Sequence, residues 1–303
     1  MVQLAVKILF LPQPAFLCYM GGGMIIDFHT HLFPEVICSG RECFCASEPA
    51  FDMLYRSPKS RLVGEAELLR AMDDNGVDKS VVFGFPWQST EHFMLHNDYV
   101  MEAVQRHPDR LIGFGCFDPA SKEAPKEAER CLNGGLAGIG ELAFYRSGIE
   151  NESLDHLAPV MSICRERGRP VLIHSNEPVG HDYPGKTPNT LAQIYRMIVR
   201  FPANTIVLAH WGGGLFFFNL LKREAKDRLR NVYFDTAASP FLYDPEIYRI
   251  AIQVVGIDKI LFGSDYPLLD QRRYFREMEQ AGISRQERAL ICGLNAARIL
   301  GTG

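Results

Sequence analysis

The residues best suited to chemistry stand near the start of the chain, in Met24-Ile-Ile-Asp-Phe-His-Thr-His-Leu-Phe-Pro34. In an extended strand, side chains at i and i+2 point the same way. His29 and His31 therefore aim two imidazoles at one point, and Pro34 ends the ladder just beyond them. Two neutral imidazoles held on a rigid strand are half of a zinc-type site. Alone, the pair reads better as polar residues in a strand-to-loop turn, and the rest of the chain decides between the two. Glu141 stands in Gly-Ile-Gly-Glu-Leu, His174 ends Val-Leu-Ile-His, His210 ends Val-Leu-Ala-His, and Asp265 closes Leu-Phe-Gly-Ser-Asp. Each follows apolar residues that would otherwise bury an unpaired polar group. Convergence of four imidazoles and two carboxylates is the donor set of a divalent-metal centre.

These six residues require a scaffold that brings distant segments to one place. Short apolar runs occur at 24–28, 79–85, 111–117, 137–144, 171–174, 205–210, 231–236 and 259–263. Near-continuous apolar runs of this length suit a parallel sheet buried on both faces. Helical patterns lie between them, at 65–75, 92–106, 121–132, 153–167, 187–200, 215–229, 244–255 and 270–281, with a last helix at 284–300. Eight strands, each followed by a helix, predict an α/β fold of the (β/α)8 TIM-barrel type, in which strand C-terminal ends build the active site. An open doubly wound sheet is the rival architecture, but no G-x-G-x-x-G or Walker loop follows the first strand. The stretch 33–63, with Pro34, Gly40, Pro49 and Pro58, is expected to lie over the barrel mouth as a long lid-like loop.

Residues 24–303 are thus read as one catalytic barrel domain. Residues 1–23, apolar but broken by Pro12 and Pro14, fit neither a membrane span nor a secretory signal. The expectation is a non-native or disordered extension, with Met24 as the natural start. A net charge of −4, from 32 Lys and Arg against 36 Asp and Glu, gives no basic stripe for nucleic acid. Eight scattered cysteines suggest no disulfide framework, which places the protein in the cytoplasm. Cys38, Cys43 and Cys45 form the one cluster, a structural metal being the alternative to three free thiols.

The ordered set of His-x-His, Glu, His, His and Asp on strands one, four, five, six and eight resembles the amidohydrolase superfamily. Asp-Phe-His-Thr-His, His-Trp-Gly-Gly-Gly and Gly-Ser-Asp-Tyr-Pro are most similar to its amidohydrolase-related branch (amidohydrolase 2), which holds lactonases, decarboxylases and a hydratase. The resemblance covers residues 24 to 300. Many members carry a carbamylated Lys on strand four; the glutamate here resembles members in which it bridges two metals. The resemblance implies one or two divalent ions per chain, with zinc expected and manganese or iron as alternatives, and a homodimer.

On this reading His29, His31 and Asp265 hold the more buried metal, and Glu141 bridges to a second held by His174 and His210. A metal lowers the pKa of bound water to about 7; Asp265 is placed to take its proton, and with only one metal bound His210 is freed to stabilise an oxyanion. Trp87 is a candidate apolar wall, Asn176, His181 and Tyr183 candidate substrate-orienting groups, and Lys186 or Arg146 candidate carboxylate partners. The expected activity is a metal-dependent hydrolase of a small amide, ester or lactone, Glu141 favouring the hydrolytic two-metal form. The alternative is a carbon–carbon or carbon–oxygen lyase, a decarboxylase or hydratase of small carboxylated aromatic or muconate-like compounds.

Overall fold

The computed structural model describes residues 23–302, except Ser147 and Lys222. Residues 1–22, and with them nearly all of the expected extension, lie outside the described residues. Eight parallel strands follow in chain order around one sheet: β1 (Ile26–His31), β2 (Lys79–Phe83), β3 (Leu111–Gly115), β4 (Gly138–Leu142), β5 (Val171–Ile173), β6 (Ile206–Leu208), β7 (Val232–Asp235) and β8 (Ile260–Leu261). The sheet closes on itself: Phe28 N–H donates to Phe262 O at 2.7 Å and Asp265 N–H to His29 O at 2.9 Å. A parallel bridge joins Thr30 to Tyr266. The (β/α)8 architecture predicted from the apolar runs is therefore the one observed.

Strand pleating divides the apolar residues into two layers. Ile26, Phe28, Val81, Phe83, Ile112, Phe114, Leu172, Val207 and Leu261 cluster inside the barrel, while Val82, Ile139, Val171, Ile173 and Leu208 pack outward against helices. β1 departs from simple alternation, because its pairing with β2 slips between Asp27 and Thr30. A one-residue slip exchanges the two faces of a strand. Phe28 can thus fill the interior while its neighbour His29, and then His31, face the mouth.

Several helices differ from the sequence reading. The expected helix 215–229 is instead a 3-10 segment, His210–Leu220, followed by a short helix Arg223–Arg228. His210 to Gly214, immediately before that stretch, all have left-handed backbone and form the turn that leaves β6. At Gly213 a Cβ would lie 2.1 Å from Asn176 O, so only glycine allows the β6 turn to pass that close. The helix expected from residue 187 begins at Leu191, where Thr190 and Gln193 form a capping box. Similarly, the patterns at 121–132 and 244–255 become Ala124–Asn133 and Ile247–Val255. The last helix runs through a π turn, Leu290–Leu294.

The excursion after β1 is not an open loop. It folds as three short helices, Glu35–Ser39, Arg41–Ser47 and Pro49–Tyr55. Between the second and third, Glu48 is 1% exposed. Its carboxylate accepts from Gln88 N–H at 3.0 Å, Ser89 N–H at 2.9 Å and the His92 ring at 2.8 Å. These amides immediately precede the helix Thr90–Arg106, whose N-cap Ser89 makes no side-chain cap of its own. A carboxylate there satisfies orphan N–H groups and complements the helix dipole. Glu48 thus ties the lid to the segment after β2. Among the described residues, no helix is long and apolar enough to cross a membrane.

Candidate metal centre

Every one of the six residues singled out by spacing reaches the same mouth. Glu141 lies at its centre, buried, with one oxygen toward each half of the cluster. Its Oε1 is 2.9 Å from His174 Nδ1 and 3.4 Å from His210 Nε2; its Oε2 is 3.6 Å from His29 Nε2 and 3.9 Å from His31 Nε2. Asp265 Oδ1 stands 3.3 Å from His31 Nε2 and 3.7 Å from His29 Nε2. At Gly140 a Cβ would lie 2.3 Å from Leu172 O, so the strand can deliver Glu141 here only from a glycine.

The imidazoles are oriented from behind. His29 Nδ1–H donates to Asp235 Oδ2 at 2.8 Å, and His210 Nδ1–H donates to Ala237 O at 3.0 Å. His31 Nδ1 faces Gly84 O at 3.4 Å. An acceptor behind Nδ1 places the proton there and leaves the Nε2 lone pair facing the mouth. His29 Nε2 and His174 Nε2 are buried with no hydrogen-bond partner, a costly arrangement for polar atoms unless something binds them. Three triads have ligand atoms within 4.8 Å of one another: His29, His210 and Asp265; His29, His31 and Glu141; Glu141, His174 and His210. This donor set of imidazole and carboxylate fits a divalent cation. Among the described residues no such group contains a cysteine, so the alternative of a metal at Cys38, Cys43 and Cys45 finds no support.

The charges reinforce each other. Burial works to lower the His29 pKa, but Asp235 and Glu141 outweigh it and raise it to about 10. His210 is likewise disfavoured by burial yet held at about 9, chiefly by its bond to Glu141. Asp265 is pushed up by burial but brought down to about 2 by the His31 hydrogen bond and the His29 and His210 charges.

Two fully buried carboxylates were given no role by the sequence, although Asp27 opens the Asp-Phe-His-Thr-His motif. Asp235 accepts from His29 with one oxygen and from the backbone N–H of His210, at 3.0 Å, and of Ala237 with the other. It joins two ligands that lie on different strands. Asp27 accepts from Ser264 N–H at 2.9 Å and Ser264 Oγ at 2.5 Å, steadying the turn that presents Asp265. We expect Asp235→Asn to weaken divalent-metal affinity roughly 10–100-fold, the usual cost of losing such a partner. Calorimetric titration of the metal-free variant checks it, and native affinity would refute this role.

The residues expected to touch substrate are placed differently. Trp87 is fully buried under the lid, packed on Phe51 and Phe85, and donates to His96 Nδ1 at 2.8 Å. It is part of the core beneath the lid and no wall of the mouth. Asn176 Oδ1 is occupied by Thr187 N–H and Oγ1, at 2.8 and 2.6 Å. Lys186 Nζ is 3.2 Å from Glu177 and donates to Val179 O at 3.0 Å, and Tyr183 donates to Glu177 at 2.8 Å. His181 is exposed, and Arg146, also exposed, lies 3.7 Å from Asp118. Glu177, which the sequence did not flag, uses the charge of Lys186 within the loop.

A parallel barrel with imidazoles and carboxylates gathered at its strand ends defines a metal-dependent barrel enzyme. More particularly, the chain belongs to the amidohydrolase family, whose pattern matches residues 26–302. It is 24% identical to 2-amino-3-carboxymuconate-6-semialdehyde decarboxylase of Dictyostelium discoideum, over 80% of this chain and 81% of that protein. The structure of 5-carboxyvanillate decarboxylase from Sphingomonas paucimobilis superposes with a TM-score of 0.74 at 22% identity, covering 92% of this chain and 99% of that one. A dihydroxybenzoic acid decarboxylase from a Polaromonas species, solved with manganese and the inhibitor 2-nitroresorcinol, gives 0.68 at 21% identity, covering 92% and 97%.

These relatives correct the expectation of a hydrolase acting on an amide, ester or lactone: they are decarboxylases. The physical reason is that Glu141 spans both halves of the cluster whatever the reaction. Its position does not select water as the nucleophile. Zinc gains no support either, since the metal in the solved relative is manganese and the donor set accepts both.

Proposed function

We propose that this enzyme is a metal-dependent carboxy-lyase acting on a small conjugated or aromatic acid. What carries the reading is the match to a decarboxylase over four-fifths of both chains, joined to a mouth in which an ionised carboxylate faces the imidazole cluster. A divalent cation bound by His29, His31, Glu141, His174, His210 and Asp265 would draw electron density from the substrate's oxygen atoms and stabilise negative charge as it develops.

The chain's own groups handle the proton. Loss of carbon dioxide breaks the carbon–carboxylate bond and leaves its electron pair on carbon, which must then gain a proton. Asp265, ionised in the resting site, accepts the acidic proton of a substrate hydroxyl or amino group at Oδ1 and returns it to that carbon. His210, with Nδ1–H committed to Ala237 O, presents the lone pair of Nε2 to the same space, where it would help to hold the cation.

The test is carbon dioxide release. Protein supplied with manganese is offered carboxylated hydroxybenzoates and carboxymuconate-type acids, alongside lactones, esters and amides. Release of carbon dioxide from at least one acid is expected, at rates typical of enzymes, about 1–10³ per second. Turnover of esters or lactones with no carbon dioxide from any acid would overturn the reading.

A further inference from the structure

Beside the metal ligands runs an aromatic wall that none of them needs. Tyr145, just past β4, has its ring 6.1 Å from that of His174 and stacks on Phe85 at 6.1 Å with an interplanar angle of 14°. Phe85 meets Tyr55 edge-on at 5.9 Å. Tyr55 ends the third lid helix and is held by Phe51 at 4.9 Å and Phe33 at 5.3 Å. The wall therefore runs from a metal ligand to the lid and carries two phenols contributed by different elements.

Both phenols belong to the mouth. Burial, followed by the nearby charges of Glu141 and Asp265 for Tyr55, and of Glu141 and Tyr55 for Tyr145, holds each well above the usual tyrosine range. They stay protonated and act as donors. Among the described residues, the side-chain hydrogen bonds leave both hydroxyls without a partner, while the neighbouring cations are engaged. Lys186 is bound to Glu177 and loop carbonyls. Arg61 is paired with Glu67 and donates to Pro267 O and Tyr266 Oη, both at 3.4 Å. Arg146 faces Asp118. Arg41 donates from Nη1 to Tyr55 O and Ser57 O, at 3.3 and 2.8 Å, which leaves the two phenols as donors with no partner among the described residues.

We propose that Tyr55 and Tyr145 form the substrate-recognition face, with the partly exposed Tyr145 ring, backed by the buried Phe85, taking the plane of a conjugated ring and the two hydroxyls donating to its oxygen substituents. This rests on the carboxy-lyase reading and narrows it to planar acids that carry a hydroxyl or second carboxylate on the ring. A saturated acid of the same size offers no face to stack and fewer aligned acceptors.

The experiment titrates 2-nitroresorcinol, a planar non-substrate, into manganese-loaded native protein and the Tyr55→Phe, Tyr145→Phe and Tyr145→Leu variants, with metal content and melting temperature measured for each. Each Phe variant should bind about tenfold more weakly, as expected for one hydrogen bond to a charged acceptor. KM for a turned-over acid should rise in parallel while kcat moves less than about threefold, with metal content native. Tyr145→Leu should also lose the preference for planar over saturated rings. Native affinity in both Phe variants would overturn the recognition face, as would failure of the native protein to bind the planar ring. Phenol-dependent ring binding without carbon dioxide release from any acid would support the face and refute the carboxy-lyase reading.

Discussion

Glu141→Gln protein is expected to lose at least about a hundredfold in divalent-metal affinity, beyond the range set by outer partners of a ligand. The substitution keeps shape and volume but removes the one charge shared by both halves of the cluster. Two of the three candidate triads contain Glu141, and its oxygens face all four imidazoles. The pH dependence provides a second readout. In the metal-free protein His29 and His210 are held near 10 and 9 against the effect of burial, with Glu141 contributing to both. A ligand imidazole must be neutral, so metal uptake releases these protons and native affinity rises as pH climbs toward 9. Without the Glu141 charge both pKa values fall, that of His210 the further because Asp235 still holds His29 up, and the affinity should level off at lower pH. Titrations at several pH values, with elemental analysis, measure both effects. Native affinity with an unchanged pH profile would show that Glu141 is no ligand.

Asp265→Asn should lower kcat by roughly 10²–10⁴, the range for loss of a general acid–base group, with carbon dioxide release as the assay. Asparagine is the informative replacement. Asp265 has φ +60°, a left-handed conformation that Asp and Asn tolerate better than other side chains, so the turn is preserved. The amide oxygen can still approach His29 and His31, but it cannot take a proton at neutral pH. Binding of 2-nitroresorcinol should therefore stay within a few-fold of native, separating proton transfer from assembly of the site. Turnover within threefold of native would remove Asp265 from the proton path and leave it as a ligand alone.

How much of this was legible follows from where each signal sits along the chain. His29, His174, His210 and Asp265 interrupt apolar runs at strand ends, so local pattern alone located them. Because (β/α)8 closure brings all strand ends together, it also located their meeting. Asp235 and Asp27 sit in similar strands, yet their partners lie 206 and 237 residues away, and no local pattern carries that information. Lys186 looked free because Glu177, which neutralises it, is nine positions back across a turn-rich loop. Of the helix expected at 215–229 only Arg223–Arg228 is a regular α-helix; the five left-handed residues His210 to Gly214 just before it serve the close approach of the β6 turn to Asn176. The reaction itself was misjudged for a different reason. The same ligands polarise a carbonyl or a carboxylated ring, and only what surrounds them separates the two.

The latch at Glu48 has a consequence for how such an enzyme can change. The lid, with Tyr55 at its end, lies between β1 and β2 and contributes none of the six ligands, and its buried anchor grips the turn after β2. The Tyr55 half of the proposed recognition face thereby lies in a stretch apart from the ligands, while the Tyr145 half follows the strand that carries Glu141. Substitutions between Glu35 and Tyr55 that respect the Glu48 anchor can retune which acid is admitted, while the strand ends continue to hold the metal as before.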